Sequence, residues 1–87
     1  MTRMTHDDPT EKIRSVLAEF GRLGPTAQDL RDDADLRQAG LTSHASVNVM
    51  LALESCFEVE FPDHMLTRNV FSSIATLRAA LEELTTA

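Results

Sequence analysis

Ser43 stands directly before His44, and Ser46 follows one helical turn later, in a chain with one cysteine, Cys56, and three histidines, His6, His44 and His64. A hydroxyl beside an imidazole suggests a serine nucleophile. That chemistry needs the base within hydrogen-bond reach and a third group to orient it. Adjacent residues on a helix do not face each other, and no acid is placed near His44 to orient its ring. A hydrolase is therefore set aside, and with it an enzyme of any kind, because no nucleophile, base and orienting group can be assembled from these residues. The histidines are scattered without metal-ligand spacing, so no metal site is expected. Cys56 is expected to be a small, partly buried filler, since nothing around it implies a low-pKa thiol. What remains is Ser43 itself, an alcohol where polar coil enters an apolar helix. The plain reading of such a serine is an N-cap. The sharper reading is that its hydroxyl carries a group.

The elements that must position this serine can be read from the apolar spacing. Ser43 to about Phe57 forms a helix, with Ser46, Val49, Met50, Leu53 and Phe57 on one side at 100° per residue. His44, Asn48, Leu51, Ala52 and Ser55 share the other. On this spacing Ser46 faces the core, which ranks it below Ser43 as a modified residue. Upstream, Asp8-Pro9-Thr10-Glu11 is a helix start, with Asp8 as cap and Pro9 in the first helical position. Ile13, Val16, Leu17 and Phe20 form its apolar stripe, and Gly21 and Gly24-Pro25 end it. Residues 25–42 make a long connection rich in aspartate, with Leu30 and Leu36 as its anchors and room for a short helical turn. Downstream, Pro62 opens a short helix to about Leu66. Ser72 is the expected cap of a last helix lined by Ile74, Leu77, Leu81 and Leu84. The sum is an all-α protein: a four-helix bundle of three longer helices and one short one.

Eighty-seven residues make one domain, here 8–87, behind a polar segment 1–7 that is expected to be disordered. A core of this size supplies roughly 3–5 kcal/mol and leaves no room for a deep cleft. With no Trp, no Tyr and four Phe, it must be built from aliphatic residues. The net charge of −6 opposes binding to nucleic acid, whose phosphates need a basic footprint, and to anionic membrane surfaces. It suits a partner with a basic patch. The single cysteine allows no internal disulfide. The opening MTRMTHDDPT has no apolar signal core, and no run is long enough to span a bilayer. A cytoplasmic monomer is the expectation.

The segment LTSHASVNVMLALESCFEVEFPD, Leu41 to Asp63, resembles the acyl carrier protein family. Members of that family read Asp-Ser-Leu, then Ala-Leu-Glu, then Phe, then a turn like Ile-Pro-Asp. Ser43, Ala52-Leu53-Glu54, Phe57 and Phe61-Pro62-Asp63 fall at the matching offsets without a gap. The resemblance implies a four-helix carrier fold in which Ser43 bears 4′-phosphopantetheine, delivered from coenzyme A by a phosphopantetheinyl transferase. Such a protein is a phosphoprotein that holds its cargo as a thioester on the arm's thiol and catalyses nothing itself. A serine at a helix N-terminus suits this role, because the hydroxyl is reachable and the helix end favours the anionic phosphodiester.

The chain departs from the family at Thr42, where Asp is usual, at His44, where Leu is usual, and at Asn48, a usual acidic position. Glu54 is the sole acid from Ser43 to Phe57. The run Leu-Thr-Ser-His-Ala-Ser is most similar to the small bacterial aminoacyl carrier proteins. That likeness implies a glycine- or alanine-like cargo and loading by an amino acid:carrier protein ligase resembling seryl-tRNA synthetase. Partners would then read Thr42, His44, Asn48, Leu51 and Ala52, with Met65 at the edge of the next short helix, although Met50 and Met65 read first as core. Two alternatives stay open. One is a carrier of fatty acyl or polyketide intermediates, which the bulky Phe61 and the acid-poor helix disfavour. The other is an unmodified helical interaction module in which Ser43 only caps.

Overall fold

The computed structural model describes residues 9–86. They form α1 (Pro9–Glu19), α2 (Thr26–Asp29), α3 (Ser43–Phe57) and α4 (Ile74–Thr86), with one 3-10 turn at Asp63–Met65. No strand occurs among the described residues. The all-α, four-helix expectation is met, and the fourth, short helix is α2, inside the long connection. The short helix expected from Pro62 to Leu66 is only the 3-10 turn. The expected cap Asp8 and the polar tail lie outside the described residues.

Helix α1 is the centre of the packing and touches α2, α3 and α4. Its Ile13, Val16 and Leu17 meet Val49 and Leu53 of α3 and Ile74, Leu77 and Leu81 of α4 in one apolar core. Leu84 packs at its edge. Phe20 leaves the expected stripe: α1 stops at Glu19 and the ring is 42% exposed. The cause is Gly21. A Cβ there would lie 2.7 Å from the Leu17 carbonyl oxygen and 3.1 Å from Leu41 Cδ1. The chain reverses one residue later, at Arg22 (φ 63°), where Leu23 N–H returns to Leu17 O at 3.2 Å.

The connection from α1 to α3 is ordered by contacts that its composition does not suggest. Leu36 is fully buried, Leu30 is half-buried, and Leu23, Ala27 and Leu41 join the core. The guanidinium of Arg14 donates to the carbonyls of Ala27 at 2.7 Å and Leu30 at 2.8 Å, and to Asp32 Oδ1 at 2.7 Å. Farther along, Leu36 N–H donates to Ser72 O at 2.9 Å and Ala75 N–H to Asp32 O at 2.8 Å. These two bonds fasten the connection to the start of α4.

That start is capped by Ser73, not by Ser72 as expected. Thr76 N–H donates to Ser73 Oγ at 3.2 Å, and Ser73 N–H donates to Thr76 Oγ1 at 3.0 Å. This is the reciprocal arrangement of a capping box, with a threonine in the returning position. Ser72 instead donates to Asn69 O at 2.9 Å. At the far end of α3, Glu58 takes a left-handed conformation (φ 55°) and its N–H returns to Glu54 O, closing the helix.

Candidate functional site

Thr42, in extended backbone with φ −85° and ψ 164°, is the N-cap of α3. Its Oγ1 accepts the N–H of Ala45 at 3.0 Å. Ser43 is thus the first helical residue, and the plain reading of it as the cap is corrected. Leu41, 3% exposed and tied through its N–H to Leu36 O at 2.9 Å, sets this register. Once Leu41 is packed inward, Thr42 falls at the junction and its hydroxyl takes the capping duty.

Ser43 is left exposed, and among the described residues its hydroxyl has no hydrogen-bond partner. The N–H groups of Ser43 and His44 have no acceptor within the helix, so the positive end of α3 lies at the hydroxyl. No base contacts it, and His44 beside it is also exposed. The arrangement offers an accessible primary alcohol where an anionic substituent is favoured. It does not offer an activated nucleophile.

Ser46 is half-buried at the surface, not in the core, and its hydroxyl donates to Thr42 O at 2.9 Å. The core side of α3 is Ala45, Val49 and Leu53. Met50 and Phe57, expected with them, are only half-buried, and Ala45 was not among the expected core residues. On the outer side, His44, Asn48, Leu51 and Ser55 are exposed as expected, with Leu51 at 52%. Ala52 is half-buried and packs against the core edge. Met65 is 7% exposed, so it belongs to the core and gives a partner little surface. Its neighbour Leu66, 44% exposed, takes the outward place. Cys56 is exposed, which corrects its expected burial.

A groove of about 360 Å³ opens beside Ser43. Ser46, Val47 and Met50 of α3 form one wall, and Leu66 and Phe71 of the segment before α4 form the other. Arg37 and Arg68, both exposed, line it as well. Val47, 53% exposed, was not singled out in the sequence. Its place four residues after Ser43 and four before Leu51 puts all three on one helical face, and that spacing was the signal available. Among the described residues, no three His, Cys, Asp or Glu side chains gather as a metal site, and no helix is long and apolar enough to cross a membrane.

Comparison with known proteins agrees with this geometry. The model of the phosphopantetheine attachment site family matches residues 11–84. The aminoacyl carrier protein of Agrobacterium fabrum is 48% identical over 65 residues, which are 75% of this chain and 78% of that protein. The fold matches a chain in the crystal structure of an engineered Bradyrhizobium japonicum glycine:[carrier protein] ligase complexed with a carrier protein from Agrobacterium tumefaciens and ATP. There the TM-score is 0.83 and the identity 40%, covering 88% of this chain and 100% of that one. The corresponding complex with AMP gives a TM-score of 0.79 and 42% identity over 84% and 97% of the two chains. The four helices, the free serine at the head of α3 and a family match across nearly all the described residues lead to one conclusion: the chain belongs to the phosphopantetheine attachment site family of carrier proteins.

Proposed function

We propose that this protein carries an activated amino acid, of the glycine or alanine kind, on a 4′-phosphopantetheine arm esterified to Ser43. The observation that carries the reading is the partner-free hydroxyl of Ser43 at the positive end of α3, made free because Thr42 supplies the cap. The residues fit the group. The phosphodiester would meet the open N–H groups of the first turn, Arg37 and Arg68 line the adjoining groove, and no acid of α3 precedes Glu54. When bound, the group supplies a thiol that holds the amino acid as a thioester.

The chain's own residues position and present. Thr42 fixes the start of α3, Ser43 holds the attachment point in solvent, and Val47 and Leu51 offer apolar surface to a partner along the same face. A phosphopantetheinyl transferase would install the arm, and an amino acid:carrier protein ligase would load it. The relatives named for aminoacyl carriage and for a complex with a glycine:[carrier protein] ligase support this choice over a fatty acyl cargo. In this reading the protein is a cytoplasmic, monomeric, non-catalytic carrier.

Intact mass after incubation with coenzyme A and a broad transferase tests it, wild type beside Ser43→Ala. One added arm on the wild type and none on the variant is the expected result. An arm that persists on Ser43→Ala moves the site elsewhere, and no arm with any transferase, including one from the native host, leaves an interaction module.

A further inference from the structure

The groove beside Ser43 differs in charge from the rest of the protein. The chain carries a net −6, yet among the described residues that line this groove there are two arginines and no Asp or Glu. Of the other described bases, four are engaged elsewhere, Arg14 with Asp32, Arg31 with Asp33, Arg78 with Glu82, and Lys12 over the ring of Phe57, and Arg22 lies outside the groove. Arg37 and Arg68 have no such partner for their guanidinium groups among the described residues. Between them lie Val47, Met50, Leu66 and Phe71, an apolar surface on which an unpaired cation would lose hydration without compensation.

We propose that Arg37 and Arg68 make this groove charge-selective: it takes the uncharged or anionic end of an arm on Ser43 and turns away an end that carries an ammonium. The inference rests on the carrier reading of Ser43. An aminoacyl thioester keeps its free α-amine, which is protonated below about pH 8. Two guanidinium groups repel that cation, and the apolar walls give it no acceptor. A loaded amino acid therefore stands in solvent, open to the next enzyme, whereas an arm with a neutral or carboxylate end settles against Val47, Met50 and Leu66. The groove so reports whether the amine is free or blocked.

The test uses the full chain with amide-linked pantetheine analogues on Ser43 ending in glycyl, N-acetylglycyl or succinyl groups, confirmed by mass. The readout is the ¹H–¹³C methyl shifts of Val47, Met50 and Leu66, with the unmodified protein at each pH as the reference. The N-acetylglycyl and succinyl forms are expected to move these methyls at pH 6.5, and the glycyl form to leave them in place. Raising the pH through about 8 neutralises the glycyl amine and is expected to move them in that form too, which separates charge from size. In Arg37→Gln/Arg68→Gln, two exposed positions, the succinyl response should fall at least twofold. Equal responses to glycyl and N-acetylglycyl ends at low pH, no response to any end, or a wild-type pattern in the double variant overturns the inference while leaving the carrier reading intact. A chain that accepts no analogue on Ser43 overturns both.

Discussion

The carboxylate of Glu54 accepts the backbone N–H of Phe61 at 2.8 Å, joining the last turn of α3 to the irregular segment that follows it. Phe61 is 4% exposed, and its ring lies 5.7 Å from that of Phe71, which forms part of the groove's second wall. One carboxylate thus fixes the far wall of the groove from the opposite end of the helix. Glu54→Ala leaves a part-buried N–H without its acceptor and is expected to cost about 1–3 kcal/mol in urea unfolding. Glu54→Gln keeps an acceptor oxygen and should lose less than half as much. Equal losses would mean that the bond contributes little.

The neighbours Thr42 and Ser43 divide two duties that a single serine could have held. Thr42→Ala removes the cap of α3 and is expected to lower stability by about 1 kcal/mol, while Thr42→Ser retains most of it. Ser43→Ala should stay within about 0.5 kcal/mol of wild type, as for an exposed position without partners. Thermal unfolding followed by circular dichroism compares the three. A larger loss for Ser43→Ala than for Thr42→Ala would reassign the cap.

Gly21 admits no side chain where α1 turns toward Leu41 and Val49. A methyl group there would press on the Leu17 carbonyl at 2.7 Å, on Leu41 Cδ1 at 3.1 Å and on Val49 Cγ2 at 3.2 Å. Backbone cannot yield as a side-chain tip can, so Gly21→Ala is expected to destabilise by about 1–3 kcal/mol. Chemical denaturation at constant m-value measures it, and an unchanged midpoint would show that α1 can shift.

Val47 and Leu51 are the exposed apolar pair on the serine's face of α3, at 53% and 52%. Val47→Ala and Leu51→Ala should change stability by no more than about 0.5 kcal/mol. If the loading ligase docks on this face, each should lower kcat/KM for loading about 5- to 30-fold, the range of a 1–2 kcal/mol contact. Steady-state loading of the arm-bearing protein gives the answer, and wild-type rates in both variants would place the docking surface elsewhere.

The helices were legible because their apolar residues recur at helical spacing and Gly and Pro punctuate them, as at Gly21, Pro9 and Pro62. The caps were missed by one residue at both Thr42-Ser43 and Ser72-Ser73. Each is a tandem of hydroxyl residues, and local preference cannot choose between them. The choice is made by what is buried beside them, as Leu41 shows. Met65 is core, as its first reading had it, but the outward place of Leu66 was not legible, because a single 3-10 turn has no periodicity to reveal its inner side. The exposure of Ser43 was legible, but its freedom from capping was not. Nor was the arginine pair, since Arg37 and Arg68 come from separate connections that meet only in the folded chain.

Arg14 grips the long connection largely by main-chain oxygens, those of Ala27 and Leu30. Carbonyls are common to every residue type, so most letters of that stretch are spared any part in steering its course. Its outward acids Asp29 and Asp33 are therefore open to drift or redesign, whereas Asp35 is held to its place by accepting the N–H groups of Arg37 and Gln38. A lineage could rewrite the electrostatic face shown to its enzymes there while the scaffold underneath keeps its shape.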